Sequence, residues 1–225
     1  MTPTLKHRLA RRVPLLLLTV FAWHVFVPRT GGAQDEAAWK YGHVVLTVQN
    51  SGAHRRVSLA IIEMLRRLFV LKPAGTAMSL FGFDDRFKQL DGMRWERDVV
   101  AIVSAASNPK RLEDALGELV FHGPSPVYDA VRLAIEAARK ADPEDKRPGA
   151  VLLVSNGIDN ASRTKFEDLE REAGQAAVPV IVIYFPDTPP QGGDTRMKKL
   201  AKASNGRFVD VRDKDSWEQL MAALR

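Results

Sequence analysis

His43-Val44-Val45-Leu46-Thr47-Val48-Gln49-Asn50-Ser51-Gly52-Ala53 is the stretch on which the reading of this chain turns. The run from His43 to Val48 suits a strand buried on both faces, and the polar turn after it leads into a helical pattern that begins at Arg56. Ala150 to Val154 repeats the arrangement, ending in Ser155-Asn156-Gly157. A third polar loop, Gly123-Pro124-Ser125-Pro126, opens another helical segment. In an open α/β sheet, ligands bind beyond the carboxyl ends of the strands, so loops far apart in the chain meet in space.

The order and content of these three loops resemble the von Willebrand factor type A domain over roughly Trp39 to Leu224. That family holds a divalent cation through a strand-end Asp-x-Ser-x-Ser, a distant Thr and a later Asp. Carried over by resemblance, the first Asp position is Gln49, the two Ser positions are Ser51 and Ala53, the Thr position is Ser125 and the last Asp position is Asn156. Gly123 to Ala130 is similar to the family's Gly-Gly-Thr-Ala-Leu-Tyr-Asp-Ala. Val154 to Ser162 stands where the family often reads Thr-Asp-Gly-x-Asp-x-x-Ser. Exported bacterial proteins with a related domain after a signal peptide are the subgroup it resembles.

Both carboxylate positions therefore hold neutral amides. Mg²⁺ is generally held by one or two carboxylates with hydroxyls and waters. A carboxylate about 4 Å from a divalent ion attracts it by roughly 8 kcal/mol gross at an effective dielectric near 20. Losing two such attractions removes an ordinary site, so the expectation is a degenerate metal site and no cofactor, with weak Mg²⁺ or Ca²⁺ as the alternative. In that alternative Asp84, Asp85, Asp129 or Asp159 is the substitute ligand. The Asn156-Gly157 pair offers another route to an acid, because glycine frees the following backbone nitrogen to attack the side-chain amide.

The N-terminus sets the expected compartment. Lys6, Arg8, Arg11 and Arg12 precede an apolar stretch from Pro14 to Val27, and Gly31-Gly32-Ala33 offers small residues for cleavage. This reads as a secretory signal peptide over residues 1–33, then a short segment at 34–38 and the domain at 39–225, in a secreted or periplasmic protein. The apolar stretch is shorter than the ~20 residues of a membrane span, so no stable span is expected after cleavage. Five of the 33 basic residues leave with the signal, which leaves 28 against 27 acidic ones, a net charge of +1. The high whole-chain charge thus gives no support to nucleic-acid binding. With no cysteine, the exported domain rests on its core alone.

Strand-like runs alternate with helix-period segments, the pattern of an α/β Rossmann-like three-layer sandwich. Its sheet is expected to be mainly parallel, flanked by helices, with one short antiparallel edge strand at Arg86 to Leu90. Strands are expected at His43–Val48, Ala77–Phe83, Ala150–Val154, Val178–Phe185 and Arg207–Val211. Helices are expected at Arg56–Phe69, Pro109–Val120, Pro126–Lys140, Lys165–Ala176, Asp194–Ala203 and Ser216–Leu224. Leu59, Ile62, Leu65 and Phe69 form the expected core face of the first helix. Trp95–Ala106 reads either as a helix or as a strand over Val99–Val103, and Asn108-Pro109 as a helix start. Trp39 and Trp217 are candidate exposed anchors, with helix-end packing the alternative for Trp217.

Ser125 with His122 and Asp129 has the residue types of a hydrolytic triad, yet Val127 stands where a nucleophile elbow needs glycine. Clustered histidines and glycine-rich phosphate loops are absent from the sequence, which argues against zinc catalysis and nucleotide binding. The expectation is a non-catalytic module that binds another protein without a metal. Its contact residues are Asn50, Ser51, His54, Ser125, Asn156 and Asp159, and the alternative is that such loops only satisfy strand-end backbone groups.

Overall fold

A computed structural model describes residues 38–91, 94–106, 108–117, 119, 121, 125–140, 145–186 and 192–225. The expected signal peptide at 1–33, the segment before residue 38, His122, Gly123, Pro124 and residues 141–144 and 187–191 lie outside them. So do the side chains of Asp84 and Asp85.

β1 (His43–Gln49) is buried at every position and lies in the middle of the sheet. It pairs in parallel with β2 (Ala77–Asp91) on one side and β4 (Gly149–Ser155) on the other. β5 (Val180–Tyr184) and β6 (Phe208–Asp210) continue the parallel sheet beyond β4. β3 (Arg94–Ala106) closes the far side, antiparallel to β2, giving the order β3-β2-β1-β4-β5-β6. The helices are α1 (Ser58–Leu71), α2 (Pro109–Leu116), α3 (Val127–Arg139), α4 (Phe166–Gln175), α5 (Gly193–Ala203) and α6 (Ser216–Leu224).

Alternation along the strands sorts the core into two layers. Val44, Leu46 and Val48 face α1, α2 and α6 through Leu65, Leu112 and Leu220. Val45, Val151 and Leu153 face α3, α4 and α5 through Val131, Leu169 and Leu200. Ala130, Ala134 and Ala138 recur every fourth residue on the buried side of α3, so that helix lies close to the sheet. A Cβ on Gly149 would meet the Ala138 carbonyl oxygen at 2.2 Å, which makes glycine the residue that fits at the start of β4.

The edge differs from expectation. Arg86 to Leu90 is no separate short strand but the outer part of β2, and the antiparallel edge is the 13-residue β3. The pairing of β1 with β2 ends at Gln49 and Phe83, while β2 runs on for eight residues, about 26 Å of extended chain. Among the described residues β3 alone accompanies it there, in a backbone register that sets Lys88 against Glu96 and Asp91 against Arg94. Of the two readings for residues 95–106, the strand holds and the helix does not, because the backbone pairs with β2 nearly throughout. Asn108 does start α2, its side chain accepting from Lys110 N at 2.9 Å, with Pro109 in the first turn.

Two apolar positions are also corrected. Leu59 is 81% exposed, because the inward face of α1 is carried by Ile61, Leu65, Leu68 and Phe69. Trp39 is no surface anchor: at 1% exposure it belongs to the core, where the Arg147 guanidinium reaches its carbonyl while pairing with Asp145. Trp217 packs half-buried at the edge of the same core, with the Arg67 guanidinium 4.1 Å from its ring centre.

At the opposite end of β1 from Gln49, His43 bonds Ser79 Oγ through Nε2 at 2.8 Å, and burial pushes its pKa down from the ordinary value. The unfolded chain therefore takes up a proton near pH 6.5 that the folded one resists. The stabilisation from neutral His43 is complete above that pH and is lost as pH falls through the lower folded value. Urea titrations at descending pH should show the wild-type protein losing stability over this window more steeply than His43→Gln.

Candidate functional site

The carboxyl end of β1, the start of α3 and the carboxyl end of β4 meet as the sequence predicts, and Gln49 is where they join. Its side chain is fully buried. Nε2 donates to Ser51 Oγ at 3.1 Å and to Ser125 Oγ at 2.6 Å. Oε1 accepts from Ser155 Oγ at 2.6 Å and from the Asn156 backbone N–H at 3.1 Å. A backbone N–H only donates, so this last bond fixes which end of the carboxamide is oxygen. One neutral side chain thereby ties three segments of the chain together.

The loop after β4 is held by its own turn chemistry. Asn156 Oδ1 accepts from Ile158 N at 3.0 Å, and Gly157 N donates to Ser155 Oγ at 2.9 Å. Gly157 has φ +73°, and a Cβ there would meet the Gly193 carbonyl oxygen at 2.5 Å. Both the backbone region and the close approach to α5 demand glycine. The Gly157 nitrogen that would attack the Asn156 amide is engaged by Ser155.

Beyond it, the loop caps α3. Asp159 Oδ2 accepts from Tyr128 N at 3.0 Å and from the Ser162 hydroxyl, while its Oδ1 accepts from Ser162 N at 3.2 Å. Ser162 Oγ in turn accepts from Tyr128 N and Asp129 N, each at 3.0 Å. Asp129 receives Arg163 N at 2.9 Å and Thr164 N at 3.0 Å on its two oxygens. Asn160 pairs with Ser125 in both directions, through Oδ1 at 2.7 Å and its own N–H at 3.1 Å. These acids satisfy orphan N–H groups at the helix start and around the turn. Burial pushes the Tyr128 phenol pKa up, with the neighbouring Arg196 opposing the shift.

Of the residues expected to form the contact face, Asn50, Ser51, His54, Ser125 and Asn156 are buried and Asp159 is half-buried. His54 turns inward, its Nδ1 2.9 Å from the Gln49 carbonyl oxygen and its ring edge-on to Phe185. Ala53 is exposed, as are Gly52, Arg55, Arg56, Asn160 and Arg163, so these form the solvent side of the same loops. Sequence reasoning missed Ser155, the fourth side chain of the cluster. Its place as the last residue of β4, beside the Asn156-Gly157 turn, was the available signal.

This donor set does not fit a hard dication, because it carries no charge and the Gln49 nitrogen stands between its two hydroxyl oxygens. Its amides are neutral, and Ser51 Oγ and Ser125 Oγ each already accept a hydrogen from Gln49. Among the described residues no group of three or more His, Asp or Glu side chains is placed to hold a metal. The partner of Ser125 Oγ is an amide, not an imidazole, so the described residues do not assemble a triad around it.

No protein-family model matches the sequence, and no curated protein matches it. Solved structures do match. An aerotolerance-related membrane protein from Bacteroides fragilis is 14% identical, with 80% of this chain and 95% of that one covered and a TM-score of 0.57. The SpRpn10 VWA domain is 11% identical, with coverages of 76% and 88% and a TM-score of 0.53. The pilus adhesin SpaC from Lactobacillus rhamnosus GG, in an open conformation, is 13% identical over 82% of this chain and 30% of its own, at a TM-score of 0.57. The protein has the von Willebrand factor type A fold.

Removing the hub leaves its four partners, three hydroxyls and one N–H, without the bonds they make now. Gln49→Ala should cost about 3 kcal/mol or more in urea unfolding, since each buried group left unsatisfied costs roughly 1–3 kcal/mol. Asn156 should keep its amide when the native protein is aged and lose it in the unfolded chain, a contrast read by peptide mass mapping.

Proposed function

We propose that this protein is an exported, non-catalytic interaction module that binds another protein at the carboxyl end of its sheet and does so without a metal ion. Gln49 and Asn156, at the two Asp positions of the type A domain, make the metal site a degenerate one. The observation that carries the reading is the closed hydrogen-bond cluster around Gln49, whose uncharged amide nitrogen stands between the two hydroxyls an ion would need. The pilus adhesin among the similar folds agrees with an interaction role. The signal-like N-terminus supports a secreted or periplasmic location, and no described helix is long and apolar enough to cross a membrane.

In this reading the buried residues Asn50, Ser51, His54, Ser125 and Asn156 set the shape of the loops, and the partner meets Gly52, Ala53, Arg55, Asn160 and Arg163 on their outer side. Loops held by a rigid sheet are common positions for such surfaces. A ligand that binds only the folded state raises its stability by mass action. The thermal midpoint of the wild-type protein should therefore be the same in EDTA, Mg²⁺, Mn²⁺ or Ca²⁺. Affinity capture in EDTA from the native secretome should retain a protein that Ala53→Arg or Asn160→Arg no longer retains. A cation-dependent midpoint, or capture that EDTA abolishes, would refute the metal-independent reading.

A further inference from the structure

Two descriptions of Gln49 are chemically different: a ligand that has lost its charge, or a group standing where the ion itself would be. The geometry points to the second. We infer that the Gln49 carboxamide nitrogen occupies the cation's position, so the side chain is a built-in surrogate for the ion. This rests on the metal-independent reading above.

Ser51 Oγ and Ser125 Oγ, the hydroxyls at the family's ligand positions, both accept from Nε2, which lies between them at 3.1 and 2.6 Å. An amide nitrogen with two hydrogens presents those oxygens with a positive pole, as a cation does. Glutamine is one methylene longer than aspartate, about 1.5 Å of extra reach, which carries the terminal group past where a ligand ends and toward the centre of the ligand ring. At the other end of the amide, Oε1 draws in Ser155 Oγ at 2.6 Å and Asn156 N at 3.1 Å, so the second and third loops close on the same group.

A carboxylate of equal length cannot do this, because it has no hydrogens to give two hydroxyls that are both accepting. Nor can an ion share the place: Mg²⁺ needs oxygens at about 2.0–2.1 Å, and Nε2 already stands between these two. The cluster is thus complete without net charge. Its closed arrangement is independent of the surrounding cation concentration.

The inference has a consequence that a lost ligand does not share. Gln49→Asp withdraws the surrogate, supplies a carboxylate and frees both hydroxyls, so that one substitution opens a divalent-cation site. Gln49→Asn keeps an amide that is too short, and should fold with reduced stability and no cation response.

Thermal unfolding of the purified chain in EDTA or millimolar Mg²⁺, together with water-proton relaxation in Mn²⁺, tests this. The expected result is a saturable rise in midpoint and a relaxation enhancement for Gln49→Asp, with neither for the wild-type protein or Gln49→Asn. Should Gln49→Asp be unfolded in EDTA, recovery of its native circular dichroism on adding Mg²⁺ supports the inference, and failure to recover overturns it. A folded Gln49→Asp that ignores both cations also overturns it and leaves the wild type's metal independence standing. A Gln49→Asn variant as stable as the wild-type protein contradicts the argument from reach. A wild-type protein that itself responds to Mg²⁺ removes the metal-independent reading and this inference together.

Discussion

The carboxamide of Gln49 joins the ends of β1 and β4 to the start of α3, and the loop end of the sheet depends on it. Sheet pairing holds β1 beside β4 but leaves their terminal groups and the entry to α3 with polar atoms to satisfy. Glutamine is suited to the task because one planar group gives two hydrogens in one direction and accepts in the other. Inside a protein a complete set of such bonds is stabilising, while a partial one is costly, so the cluster behaves as a unit.

The rest of the site supports this unit. Asp159, Ser162, Asp129 and Asn160 spend their oxygens on backbone N–H groups, which fixes the loop after β4 against α3. Gly157 brings the turn against α5, where a side chain would collide with Gly193. The outcome is polar residues directed inward and a rim of small and basic residues directed outward. The exposed surface at this end therefore carries the consequences of the cluster, not the cluster itself.

Much of the fold was legible in the sequence because its strongest signals are local. Ala150 to Val154 and Val180 to Tyr184 lie in apolar, β-branched runs of strand length, and Asn108-Pro109 carries the cap-then-proline pattern of a helix start. Leu59 was misplaced because apolar spacing defines a stripe without saying which of its edges meets the sheet. The β2–β3 ribbon was legible only in part, as strand at Arg86 to Leu90 and as one of two readings at Val99 to Val103, because a charged segment lacks the apolar alternation that marks a half-buried strand. Its partner across the hairpin supplies what the segment itself does not show.

The candidate site divides in the same way. The sequence by itself determined that Gln49, Ser51, Ser125 and Asn156 lie on loops at strand ends and helix starts, and that no carboxylate stands at positions 49 and 156. Residue identity and short-range pattern carry that information. Only the tertiary structure decided that these side chains point inward, that Ser155 joins them and that the Gln49 nitrogen lies between two hydroxyls. The physical reason is that hydrogen bonds between residues 76 or 106 positions apart exist only after the sheet has brought their strands together.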